Sequence, residues 1–177
     1  MTALVIALPE EAEGIKSYPV YLSGCGKVNA TIATMRAIRD GHKSIINYGS
    51  AGTVSHVTGL VEVTGYVDRD MDARAINFEI GQTPFEHDIM IGEKGIVCGT
   101  GDKFATSKPE IVCDIVDMEA YAIAKTCLKE QVDFRSFKYI SDSLMKTPQL
   151  IGKRMSIEAI HYSKKYFTME NFNGSTN

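Results

Sequence analysis

Residues 3–8 (Ala-Leu-Val-Ile-Ala-Leu) are apolar without interruption and stop at Pro9. A run with no polar alternation predicts a strand covered on both faces, as in parallel sheets. Residues 20–23 predict a second, short strand. At Lys27 the period changes: Val28, Ile32, Met35 and Ile38 recur at helical spacing until Asp40-Gly41 supplies a stop. Strand character returns at 44–48, and Gly49-Ser50-Ala51-Gly52 breaks it. Further strands are predicted over 60–67, 96–99, 111–116 and 137–140. Helices are predicted over 118–129, with Met118, Ala122 and Cys127 on its apolar stripe, and over 149–167. Residues 171–177 form a polar tail that should fray.

Strands interleaved with helices predict an α/β fold: a single domain with a twisted, mixed but largely parallel sheet flanked by helices. No internal repeat or linker divides the chain, so residues 1–170 read as one domain and 171–177 as a flexible tail. In sheets of this kind ligands bind beyond the carboxyl ends of the strands. Five junctions qualify, each after an apolar run: Pro9-Glu10-Glu11, Gly24-Cys25-Gly26, Gly49-Ser50-Ala51-Gly52, Asp117-Met118-Glu119 and Ser141-Asp142.

Composition narrows the classes. The 177 residues hold 22 acidic and 19 basic side chains, a net charge of −3 with no long basic run, which excludes a nucleic-acid partner bound by phosphate neutralisation. No apolar stretch approaches the roughly 20 residues of a membrane span, and no signal peptide is visible. Hydrophobic residues at 44% and charged ones at 23% suit a globular protein. Cys25, Cys98, Cys113 and Cys127 are scattered without a C-x-x-C pair, so they read as free, mostly buried thiols of a reducing, cytoplasmic setting. The four histidines show no metal-ligand spacing, so no metal site and no cofactor are expected.

Taken singly, each junction has a structural reading beside a functional one. Gly24-Cys25-Gly26 before a helix is half of a dinucleotide fingerprint, but Asn29 takes the third glycine's place; close helix–strand packing accounts for it. Gly49 to Gly52 could be a tight turn, or a loop whose N–H groups and Ser50 hydroxyl approach a ligand. The carboxylates of Asp117 and Glu119 could cap a helix or meet a ligand at its N-terminus.

Their order along the chain adds a further reading. Ala7-Leu8-Pro9-Glu10-Glu11, Ser23-Gly24-Cys25-Gly26-Lys27-Val28, Asn47-Tyr48-Gly49-Ser50-Ala51-Gly52, Val116-Asp117-Met118-Glu119-Ala120 and Ile140-Ser141-Asp142 together resemble the nucleoside phosphorylase/nucleosidase superfamily. Asp70-Met71-Asp72, Phe78-Glu79-Ile80-Gly81-Gln82-Thr83-Pro84 and Gly101-Asp102-Lys103-Phe104 make the likeness greatest to its 5'-methylthioadenosine/S-adenosylhomocysteine nucleosidases, as a variant shortened between Phe85 and Ile96. Asp117 replaces the family's first glutamate of Glu-Met-Glu, and Ile76 stands where the family has an aromatic residue.

The resemblance implies hydrolysis of the N-glycosidic bond of a purine nucleoside. Glu11 would deprotonate the attacking water, with Ser50 helping to hold it, and Asp142 would protonate N7 of the leaving purine. Ala51, Gly52, Asp117 and Ser141 would belong to the substrate site. Glu119 would accept the ribose hydroxyls, Met118 would pack under the sugar, and Phe104 would stack on the base. Ile76 and Pro84 would reach the neighbouring subunit's site, making the protein a homodimer or larger. Two alternatives stand beside this reading: phosphorolysis, for which Arg69 is a candidate phosphate ligand, and non-catalytic nucleoside binding on the same fold.

Overall fold

The computed structural model describes residues 1–143, with side chains through Ile140; the helix expected over 149–167 and the tail over 171–177 lie outside these. In chain order the elements are β1 (Thr2–Ile6), a 3-10 turn (Pro9–Ala12), β2 (Val20–Leu22), α1 (Lys27–Arg39), β3 (Ser44–Thr53), β4 (Gly59–Val63) and β5 (Gly65–Asp68). A second 3-10 turn (Arg74–Ile76), β6 (Met90–Gly92), β7 (Val97–Thr100), β8 (Ile115–Asp117), α2 (Ala120–Lys129) and β9 (Asp133–Ser143) complete the described part. Within it no helix is long and apolar enough to cross a membrane.

All nine strands join one mixed sheet, in the order β2-β1-β3-β8-β7-β5-β6, with β9 on β3 and β4 on β9. β1 lies parallel to β2 and β3, β3 to β9, and β7 to β5 and β8. β8 on β3, β4 on β9 and β6 on β5 are antiparallel. β3 is the spine, and it carries an unusual fork. β1 pairs with it only as far as Ile6 opposite Tyr48, whereas β8 arrives from the opposite direction and pairs at Gly52 and Thr53. The carboxyl ends of β1 and β8 therefore converge on Gly49, Ser50 and Ala51.

Several boundaries differ from the sequence expectation, for traceable reasons. The glycines at 49 and 52 do not end β3, because β9 supplies a ladder from Ser44 opposite Asp133 to Thr53 opposite Ser143. β9 outgrows the expected 137–140 for the same reason: β3 and β4 pair with its two edges. The single strand expected over 60–67 divides at Thr64, since β4 pairs with β9 and β5 with β6 and β7. Of 111–116 only Ile115 and Val116 are strand. β6, three residues long, carries too little pattern to be read from sequence.

The helix α1 forms where expected but buries a different face. Ala30, Ala33, Thr34 and Ala37 turn inward, while Val28 is 70% and Ile32 47% exposed. Small side chains let α1 lie close against α2, so Ala30, Ala33 and Ala37 share one apolar cluster with Ala122, Ile123 and Cys127. Buried polar groups in the sheet are paired: the Asn47 amide donates to the Val5 carbonyl (3.0 Å) and its oxygen accepts from the Ser136 hydroxyl (3.0 Å). These bonds tie β1, β3 and β9 together beneath the fork.

Candidate active site

The fork in the sheet opens into a cavity of about 200 Å³. Its walls come from the exit of β1, the middle of β3, the exit of β8, the turn before α1 and the segment after β7. Ser50, Ala51, Gly52, Asp117, Met118 and Glu119 all border it, as do Glu11 and Phe104. The structure thus brings together residues from four of the five sequence junctions, Cys25 representing the glycine turn. Asp142, from the fifth, is positioned by register: it stands opposite Gly52 near the end of β9, just past a bulge that leaves Ser141 without a partner on β3.

Glu11 is buried, 2% exposed, in the 3-10 turn that follows β1. Its Oε1 accepts both the backbone N–H and the hydroxyl of Ser50, each at 2.8 Å, and its Oε2 accepts the Leu8 N–H at 3.3 Å. The reason is local. Where β1 has ended and β8 has not begun, the Ser50 N–H turns to the carboxylate for its partner. Gly49 permits the approach, because a Cβ there would lie 3.3 Å from Oε2 and 3.4 Å from Oε1. The result is an immobilised, oriented carboxylate at the mouth of a cavity.

Asp117 and Glu119, two residues apart, have separate tasks. The Asp117 Oδ1 accepts the Thr100 hydroxyl (2.5 Å), and its Oδ2 accepts the Ala120 N–H (2.9 Å) and the Lys138 ammonium (2.8 Å). Thr100 Oγ1 in turn accepts the Tyr121 N–H (2.9 Å), so the pair caps the first turn of α2. Asp117 borders the cavity with both oxygens engaged. Burial disfavours its charge, yet Lys138, Thr100 and the Ala120 N–H outweigh this and hold its carboxyl below the ordinary range. Lys138 stays charged despite burial because Asp117 and Glu119 face it. Removing one member of such a pair alone costs about 3–5 kcal/mol.

The Glu119 carboxylate does not cap its own helix. It faces the cavity and accepts the Gly26 N–H at 3.0 Å, a donor presented by a turn with φ of 99° that favours glycine. Burial first, and then the Asp117 charge, push its pKa up to about 7, against the pull of Lys138 and the Gly26 N–H. The consequence for stability has a definite sign. Folded protein keeps this proton between the ordinary value of 4.5 and about 7, where the unfolded chain has lost it. Stability of the free protein should therefore fall as pH rises through that window. Urea unfolding of Glu119→Gln against wild type should show this slope flattened and the variant the more stable at pH 8; parallel curves would refute it.

Phe104, 52% exposed, overhangs the cavity from the segment after β7. That segment is fastened from two sides. The Arg69 guanidinium donates to the carbonyls of Gly99 (3.2 Å), Gly101 (3.3 Å) and Lys103. On the other side Asp70 accepts the Asp102 N–H (2.6 Å), while Asp102 accepts the Lys27 N–H (2.8 Å). Lys27 closes the network with ion pairs to Asp68 (2.9 Å) and Asp70 (2.6 Å). Ile76 and Pro84 do not border the cavity; Ile76 lies exposed in its 3-10 turn.

Sequence reasoning missed Lys138 and Thr100 as bordering or supporting groups. Lys138 left a usable signal, since a lysine between Phe137 and Tyr139 in an apolar strand must find a buried anion. Thr100 left none. Cys25, in the glycine junction before α1, borders the cavity, and its thiol is held neutral by burial and by the Glu119 and Glu11 carboxylates. Among the described residues no group of three or more His, Cys, Asp or Glu side chains could hold a metal ion.

The same architecture occurs in solved structures. The 5'-methylthioadenosine/S-adenosyl homocysteine nucleosidase of Helicobacter pylori matches at a TM-score of 0.80 and 23% identity, covering 94% of this chain and 95% of that one. The enzyme of that name from Neisseria meningitidis, in complex with methylthio-immucillin-A, matches at 0.79 and 24%, covering 94% and 96%. Futalosine hydrolase of Helicobacter pylori strain 26695 matches at 0.83 and 21%, covering 94% of each chain. These likenesses define the fold as that of the nucleoside phosphorylases and nucleosidases. No protein-family model matches the chain.

Sequence likeness narrows the class. The chain is 32% identical over 154 residues to the 5'-methylthioadenosine/S-adenosylhomocysteine nucleosidase of Staphylococcus carnosus (strain TM300), over 68% of this chain and 66% of that protein. It is 32% identical over 152 residues to the enzyme of the same name from Bacillus thuringiensis (strain Al Hakam), over 68% and 65%. It thus spans just under two thirds of the length of these curated relatives. In sequence the chain is thus similar to 5'-methylthioadenosine/S-adenosylhomocysteine nucleosidases.

Proposed function

We propose that this protein hydrolyses the N-glycosidic bond of a purine nucleoside such as 5'-methylthioadenosine or S-adenosylhomocysteine, releasing adenine. The observation that carries the reading is the buried Glu11 carboxylate, fixed by the Ser50 N–H and hydroxyl at a cavity that Glu119 also borders. The C1'–N9 bond breaks with its electron pair going to the base. Asp142 gives a proton to N7, so adenine leaves neutral. Water bonds to C1' and yields its proton to Glu11, while the carboxylates stabilise the positive charge that builds on the sugar. Glu119 accepts the ribose hydroxyls, Met118 packs under the sugar and Phe104 stacks on the base. Ser50, with Ala51 and Gly52 beside it, forms the floor, Asp117 supports it from behind, and Ser141 belongs to the substrate site.

Phosphorolysis needs a cation for phosphate. Arg69 is engaged on three carbonyls, and a carboxylate at Glu11 repels a phosphate dianion. Adenine release from 5'-methylthioadenosine should accordingly be the same with and without phosphate, and the sugar product should be free 5-methylthioribose. 5-Methylthioribose 1-phosphate formed in step with adenine would establish the phosphorylase instead, and tight binding without turnover the non-catalytic protein.

The active form is a homodimer or larger. Val28 and Ile32 on α1, Ile76 in its 3-10 turn and Phe85 are large apolar residues left exposed among the described residues, which supports this. Light scattering at micromolar concentration should give at least twice the chain mass; a fully active monomer would refute it. The three buried thiols Cys98, Cys113 and Cys127 fit a reducing cytoplasm.

A further inference from the structure

A lysine that is 1% exposed in the middle of a central strand calls for a reason. Capping α2 does not supply one, because Thr100 and the Asp117 carboxylate do that without a cation. The arrangement of charge around the cavity does. Three carboxylates converge there from different elements: Glu11 from the 3-10 turn, Asp117 from β8 and Glu119 from the start of α2. Among the described residues bordering the cavity the cations are Arg69 and Lys138, and the Arg69 guanidinium is bound to backbone carbonyls. Lys138 reaches from β9 across the level of β3 to Asp117, and Glu119 adds to the negative charge that keeps its ammonium protonated.

We propose that Lys138 and Asp117 form a positioning pair that sets the charge of Glu119, and with it the hold of the site on the sugar hydroxyls. This rests on the reading of Glu119 as the sugar-binding carboxylate. The groups that face Glu119 are Asp117 on β8, Lys138 on β9, Glu11, and the Cys25 thiol with the Gly26 N–H before α1. Asp117 opposes ionisation of Glu119 and Lys138 favours it. The two members of the pair therefore act on Glu119 in opposite directions, a signature that general damage to the fold does not produce.

The test follows the Glu119 carboxyl itself, by carbon-13 NMR of protein labelled in glutamate side chains, its resonance assigned by loss in Glu119→Gln. Lys138→Met should raise the midpoint by about one unit or more, the scale of losing a nearby opposite charge. Asp117→Asn should lower it, and Lys138→Arg should restore it. In the same variants the acid limb of kcat/KM for 5'-methylthioadenosine should move with the midpoint, through KM more than kcat. A midpoint that stays put, or moves the same way in Lys138→Met and Asp117→Asn, overturns the proposal. Should Lys138→Met fail to fold, Asp117→Asn decides by the direction of its shift. A wild-type protein that releases no adenine refutes the nucleosidase reading, while the NMR midpoints still decide the pair.

Discussion

Glu11→Gln should lower turnover of 5'-methylthioadenosine by about a hundredfold or more, the range expected when a general base is lost. The substitution keeps length and shape. Its amide oxygen can still accept the Ser50 N–H and hydroxyl that Glu11 holds at 2.8 Å. Its amide nitrogen, however, would face the Leu8 N–H where Oε2 now accepts at 3.3 Å. One weak hydrogen bond is lost, so stability should change by only about 1 kcal/mol. What disappears is the capacity to take a proton from water. A thermal unfolding curve close to wild type combined with steady-state release of adenine separates the two effects. Turnover within a few fold of wild type, in a folded variant, would remove Glu11 from the chemistry.

Asp142→Asn is expected to be as damaging, about a hundredfold or more in kcat, because the asparagine amide is no acid for N7 and adenine would have to leave as an anion. Its position supports the expectation. β9 carries Asp142 past the bulge to the level of Gly52, on the strand beside the one that holds Ser50. Binding of adenine, the product, should weaken far less than turnover falls, which fluorescence or calorimetric titration can establish. A folded Asp142→Asn with near-normal kcat would assign the proton to another group. The two variants also report on different halves of one reaction. Added nucleophiles such as azide should leave Asp142→Asn unrescued, since the failure there lies with the leaving base.

The likeness of order among short motifs made the candidate site legible before any coordinate. Glu11, Ser50, Met118, Glu119 and Phe104 lie far apart in sequence, and the structure sets them around one cavity. The physical basis is the rule for open α/β sheets: side chains just past the strand ends are free of the ladder and point where connections diverge. Asp117 shows the limit of that rule. Two carboxylates in one tripeptide are indistinguishable on paper, and either could cap α2. Only the position of Thr100 and Lys138 makes Asp117 the capping one and leaves Glu119 to the cavity. Helix α1 shows a second limit. Its apolar period is visible in the sequence, but the larger residues Val28 and Ile32 face outward, and the side that lies close against α2 is filled mostly by the small residues Ala30, Ala33, Thr34 and Ala37.

By itself the amino-acid sequence determined the α/β alternation, the junctions that border the cavity and the likeness to the nucleosidases. Those follow from local causes: uninterrupted apolar runs make covered strands, glycine and proline end them, and spacing of residue types survives in the linear order. The tertiary structure alone decided where β3 ends, which carboxylate faces the cavity, and that β1 and β8 meet head-on across Gly49 to Ala51. Each of these depends on pairing between segments distant in sequence: Ser44 to Thr53 with Asp133 to Ser143, and Lys138 with Asp117. A strand's length is set by the partner that satisfies its backbone, and a buried charge by the counter-charge that the fold delivers.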